Sequence, residues 1–179
     1  MALRITLDFS DKDLEYFQQL ADEAIKTSQS QSADEIIANA KALLSKMTAS
    51  DGSEYIQGRI SQLQALIDML EDAGWGMQEV GQGRVLAALS YFNNPQDIIP
   101  DDVPVLGYLD DAIMIELLTR ELRPEVEAYQ DFVNYRSAEA KRRGLDPDKV
   151  DRADFLEARE QALLARMRRR RRAGGSLFG

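Results

Sequence analysis

The 179-residue chain contains no cysteine and no histidine, and each absence removes whole classes of chemistry. Without cysteine there is no disulfide, no thiolate nucleophile and no thiolate-held zinc or iron–sulfur cluster, a composition that suits a reducing cytoplasm. Without histidine, the usual general base near neutral pH and the commonest metal ligand are missing, so serine–histidine hydrolysis and histidine-ligated zinc hydrolysis are excluded. Long apolar runs are missing too. No stretch approaches the roughly 20 residues of a membrane-spanning helix, and the most apolar window, 103–118, carries Asp110, Asp111 and Glu116. Residues 1–8 alternate apolar and polar types and lack the long apolar centre of a secretory signal, so the reading is a soluble, cytoplasmic chain.

What is present is ordinary globular material, 44% hydrophobic and 30% charged, enough for one domain with a packed core. The charge is uneven. Six arginines lie between positions 166 and 172, so a net −9 for the chain leaves −15 on everything else. An acidic body repels nucleic acid and anionic membrane, and delegates any such contact to the arginines.

Leu3, Ile5 and Leu7 alternate with polar residues as in a short half-buried strand. From there the chain reads as helices. Ser10 with Asp13 caps the first, carried by Leu14, Phe17, Ala21, Ala24 and Ile25; Ser32 with Glu35 is a capping box for the second, carried by Ile36, Ala40, Leu43, Leu44 and Met47. Ser53 opens a third on Ile56, Ile60, Leu63, Leu66, Ile67 and Leu70. Gly74, Gly76, Gly81 and Gly83 read as a flexible joint, since no Lys-Ser or Lys-Thr follows to complete a phosphate loop, and a fourth helix resumes at Val85. Residues 109–118 predict a fifth helix buried on most faces, the candidate centre of the core. Pro124 opens a sixth that ends at Gly144, and Asp146-Pro147-Asp148 caps a last, charged helix running into the arginines.

The expected fold is therefore all-α, a bundle of six or seven helices with a short N-terminal strand and a disordered basic C-terminal tail. Its expected organisation is 1–75, strand and helices packed on the core; 76–145, the core helical domain; and 146–179, a surface helix with the arginine tail.

The spacing Asp97-x-x-Pro100-Asp101-x-x-Pro104-x-x-Gly107-x-x-Asp110-Asp111 lies in a stretch, about 85–135, that resembles the bacterial YkvA-like domain family, a family of unknown function. The N-terminal LRITLDFSDKDLEYFQQLADEA is similar to the segment preceding that domain in some bacterial relatives. The resemblance implies a fold and no mechanism.

Three readings of the aspartates stay open. Asp97, Asp101, Asp110 and Asp111 could converge on Mg²⁺ or Ca²⁺, which favour oxygen ligands, and serve metal-assisted phosphoester hydrolysis. They could instead be caps and turns, Asp97 in an Asx turn, Asp101 capping a helix, Asp110 or Asp111 at a helix start. Or Asp110 could be buried against a cation such as Arg84 or Arg123. Gly107 marks a tight backbone conformation or a close contact. Arg168, Arg169, Arg170, Arg171 and Arg172 could engage phosphates of nucleic acid or anionic lipid, without the interleaved aromatics that base stacking requires, or dock on the acidic face of another subunit. The final Gly-Gly-Ser-Leu-Phe-Gly is a spacer ending in an apolar hook, its Gly-Ser-Leu similar to peptides that dock cargo in bacterial encapsulin shells. No nucleophile–base pair can be assembled and no cofactor motif is present, so the leading reading is a non-enzymatic interaction or adaptor protein, with an unknown protein partner or self-association.

Overall fold

Among the described residues the chain forms seven α-helices: α1 (Asp11–Thr27), α2 (Ala33–Ala49), α3 (Glu54–Glu71), α4 (Glu79–Leu89), α5 (Leu109–Glu121), α6 (Arg123–Arg143) and α7 (Arg152–Gly174). The computed structural model describes residues 6, 8–27, 31–50, 52–93, 99–103 and 106–174. No strand occurs among them, and Leu3, Ile5 and Leu7 of the expected N-terminal strand lie outside them.

The helix starts are written in local chemistry. Ser32 Oγ accepts from the Glu35 N–H at 3.3 Å while the Glu35 carboxylate accepts from the Ser32 N–H at 2.8 Å, satisfying two otherwise unpaired donors. Ser10 and Asp13 make the same reciprocal pair with the shorter acid. Pro124 sits in the first turn of α6, where its missing N–H costs nothing, and Gly144 ends that helix in the left-handed conformation, at φ 66°.

The hub of the core is α3, which packs on α2, α4, α5 and α6. Beside the stripe of Ile56, Leu63, Leu66 and Ile67 it also buries Met69, which at ~100° per residue lies about 200° round the helix from Ile67. Helix α5 lies against it and buries Ala112, Ile113, Met114, Ile115 and Leu118, as the all-round apolar run requires. Together with Phe17, Ile36, Val85, Phe132 and Phe155 these residues form one hydrophobic cluster drawing on all seven helices.

Two expectations about the chain's punctuation are corrected. The flexible joint is shorter than the glycines suggest, because α4 begins at Glu79 and includes Gly81 and Gly83. Nothing lies within 4 Å of a Cβ built on Gly83, and its φ is not positive, so no steric demand keeps glycine there. Gly83→Ala should accordingly stabilise the protein by about 0.5–1 kcal/mol, read as a raised denaturation midpoint. The second concerns the arginines: α7 runs through 168–172 to Gly174, so they belong to a helix, while residues 175–179 of the expected disordered tail lie outside the described residues. A run of good helix formers continues whatever helix precedes it. Asp146, for its part, caps the 3₁₀ turn Pro147–Lys149, its carboxylate accepting from the Asp148 N–H, and α7 starts separately at the reciprocal pair Asp151 and Asp154.

Candidate functional site

Two regions hold the residues singled out above, the turn before α5 and the outer half of α7. The turn is built on backbone hydrogen bonds: Val103 N–H to Pro100 O at 3.0 Å, Gly107 N–H to Val103 O at 2.8 Å, and Leu109 N–H to Leu106 O at 3.1 Å. Asp110 closes its base. Lying in the first turn of α5 and only 4% exposed, it accepts from the Ile99 N–H at 3.1 Å, so a carboxylate favoured by the helix N-terminus also ties down the far end of the loop.

Gly107 is the tightest point. A Cβ there would stand 2.3 Å from the carbonyl oxygen of Asp101, 2.9 Å from its carbon and 3.1 Å from Val103 O, all backbone atoms. The left-handed residue is its neighbour Tyr108, at φ 65°, a conformation that costs a residue with a side chain on the order of 1 kcal/mol. Gly107 is thus required for space, while the unusual backbone conformation falls on a tyrosine whose side chain packs on the core.

The aspartates part company. Asp97 lies outside the described residues. Asp101 does not cap a helix; its carboxylate approaches Lys46 of α2 at 3.5 Å. Asp110 and Asp111 sit in the first turn of α5, as expected of helix-start residues. Arg84 and Arg123, the cations considered for Asp110, reach Glu125 and Glu127. Among the described residues no group of three or more acidic side chains is placed to hold a metal ion. The stretch between Arg84 and Arg120 has no basic residue of its own, yet Lys46 comes to Asp101, and Arg59 of α3 reaches Glu116 at 2.8 Å. Helices distant in sequence supply the compensating charge.

Sequence reasoning passed over a second cluster, at the end of α3. Asp72 accepts from the Trp75 N–H at 3.1 Å and the Tyr129 hydroxyl at 3.0 Å, and meets the two terminal guanidinium nitrogens of Arg136 at 2.9 and 2.8 Å. Burial pushes the Asp72 carboxyl up, but the hydrogen bonds from Arg136, Trp75 and Tyr129 outweigh it and hold it below the ordinary value. Burial and the Asp72 carboxylate together raise the Tyr129 hydroxyl. Above this network Trp75, Tyr129, Phe132 and Phe155 pack ring on ring, Trp75 and Phe132 with centroids 5.2 Å apart. The signal available in the sequence was Asp72-x-Gly74-Trp75-Gly76, the single tryptophan set between two glycines after an acidic helix end.

This cluster seats α7. The Arg152 N–H donates to Gly74 O at 2.8 Å, its guanidinium donates to Gly76 O at 3.1 Å and lies 4.5 Å over the Trp75 ring, and Phe155 is buried. One turn on, Arg159 pairs with Asp131 of α6 at 2.6 Å. Every residue from 159 to 170 is exposed, including Leu163, Leu164 and Met167. At ~1.5 Å per residue the helix therefore projects roughly 16 Å past its last anchor to Arg170. Arg166, Arg168, Arg169 and Arg170 stand on this outer part, Arg171 and Arg172 follow in the same helix, and residues 175–179 with the apolar hook lie outside the described residues.

Residues 83–117, from within α4 through most of α5, match the model of a family described as a protein of unknown function (DUF1232). No curated protein and no solved structure matches the chain. Among the described residues no helix is long and apolar enough to cross a membrane.

Proposed function

We propose that the chain is a non-enzymatic interaction protein in which an acidic helical body, with a YkvA-like domain at 85–135, holds α7 out as a cationic contact element. The observation that carries this reading is the exposure of α7 on all sides from 159 to 170, while its first turn is pinned by Arg152, Phe155 and the Trp75 turn. A helix with no core to fill is held rigidly by one end, and its free end concentrates the chain's positive charge. Such a geometry presents side chains to something outside the molecule.

The motif at 97–111 supports a scaffolding role for the domain, since Gly107 and Asp110 spend their chemistry on closing a turn. Cytoplasmic placement follows the cysteine-free composition.

A chain ending after Ala162 tests the reading. It keeps the Arg159–Asp131 pair and the whole core, so its melting temperature should stay within about 2 °C of the parent. Cross-linking and affinity capture by the parent should yield partners that this chain loses, with binding that weakens steeply as salt rises from about 0.05 to 0.5 M. An unchanged partner set in the shortened chain would assign interaction to the body and overturn the reading.

A further inference from the structure

The outer half of α7 carries an apolar stripe as well as charge. Leu156 is 52% exposed, Leu163 56%, Leu164 42% and Met167 43%. At ~100° per residue Leu156, Leu163 and Met167 fall within about 40° of one another, with Leu164 flanking them, roughly a quarter-turn or more away from the docked Phe155. The stripe therefore faces solvent beside the seam with α6.

Charge along the same helix is segregated. Asp154, Glu157 and Glu160 lie in its first half, where Arg152 and Arg159 are drawn onto Gly76 O and Asp131, and Arg166 with Arg168, Arg169 and Arg170 lie in its second. A helix that is acidic at one end and basic at the other is complementary to itself when reversed. With Leu156 set opposite Met167 of a second copy, Glu157 comes within two residues of the level of Arg168 on the same flank of the seam, twice over by symmetry.

Resting on the reading of α7 as the contact element, we infer that its occupant is a second copy of this chain, the two α7 helices pairing antiparallel through Leu156, Leu163, Leu164 and Met167. Four half-exposed apolar side chains per copy are then covered by four from the other. A polyanion would leave this stripe in water and meet Glu157 and Glu160 as repelling charges. An anionic membrane would have to approach a body carrying most of the negative charge. A second copy satisfies stripe and charge together.

The test is sedimentation equilibrium of the full chain, from about 1 to 100 µM, with two charge-reversed versions. One carries Glu157→Arg and Glu160→Arg, the other Arg166→Glu, Arg168→Glu and Arg169→Glu; all positions are exposed, so both should fold. The parent is expected to double from its 20.1 kDa monomer mass, each reversed chain alone to weaken association at least tenfold, and their equimolar mixture to recover it. Leu163→Glu should also leave a monomer. A parent that stays monomeric throughout overturns the inference, and so does a dimer indifferent to all these changes. If the parent is monomeric but truncation after Ala162 still abolishes partner capture, α7 remains the contact element and only the second copy is wrong. A monomer that co-sediments with phosphatidylglycerol vesicles would assign the helix to a lipid surface instead.

Discussion

Asp72→Ala is expected to destabilise the protein by about 3 kcal/mol, because it leaves Arg136 without its counter-charge and Tyr129 without its acceptor inside a packed seam. The side chains of Asp72 and Arg136 are 11% and 16% exposed, so water cannot readily replace what is lost. Tyr129→Phe removes one of these hydrogen bonds while keeping the ring against Trp75 and Phe132, and should cost about 1–2 kcal/mol. Urea denaturation of the two variants and their combination measures the coupling: the double variant should be less destabilised than the sum, since both changes strike one network. Additive losses would mean that the hydroxyl is held by something other than Asp72.

Asp72, together with the separate ion pairs of Glu139 with Arg142 and Arg143, sets a pH dependence. Asp72 is held below the ordinary carboxylate value, and Glu139 is brought down to about 2, first by the hydrogen bond from Arg142, with burial opposing and Arg143 adding to the fall. A carboxylate whose pKa is depressed on folding binds fewer protons folded than unfolded, so its contribution is fully present above the unfolded value and disappears as pH falls through the folded one. Stability should thus be level above about pH 5 and fall from there towards about pH 2. In Asp72→Asn with Glu139→Gln the slope of melting temperature against pH over that window should be shallower than in the parent, and an identical slope would place the acid sensitivity elsewhere.

Gly107→Ala is the second large effect, expected at about 3 kcal/mol or more and a melting temperature lower by roughly 6–12 °C. The added methyl would meet the Asp101 carbonyl at 2.3 Å, and backbone atoms cannot rotate away as a side-chain tip can. Gly83→Ala is the matched control, the same chemical change in open helix with the opposite sign. Comparing the two separates the loss of a glycine as such from the loss of space at the turn. If Gly107→Ala melts like the parent, the turn does not pack as closely as this geometry requires.

Much of the architecture was legible because it depends on short-range chemistry. Ser32 and Glu35 are three residues apart and form their box within one turn of helix; Pro124 and Gly144 bound α6 through their own backbone preferences; the repeat of Ile56, Leu63 and Ile67 marks a buried face by helical period alone. The turn before α5 was visible in the spacing of its prolines, aspartates and glycine, although Gly107 and Tyr108 divide the roles a sequence would assign to the glycine alone.

The rest rests on distances through space between residues far apart in the chain. Lys46 beside Asp101, Arg59 beside Glu116, and Tyr129 and Arg136 around Asp72 are pairings between separate helices, and no periodicity encodes which charged side chain will face which. That the arginines would stand on a projecting helix, clear of the body, likewise depends on where Arg152 and Phe155 dock. The helices, most of their caps and the excess of base at the far end of α7 follow from the sequence, since these are local in the chain; only tertiary packing decided which acids are neutralised and that the basic end is left exposed, because both follow from how whole helices meet.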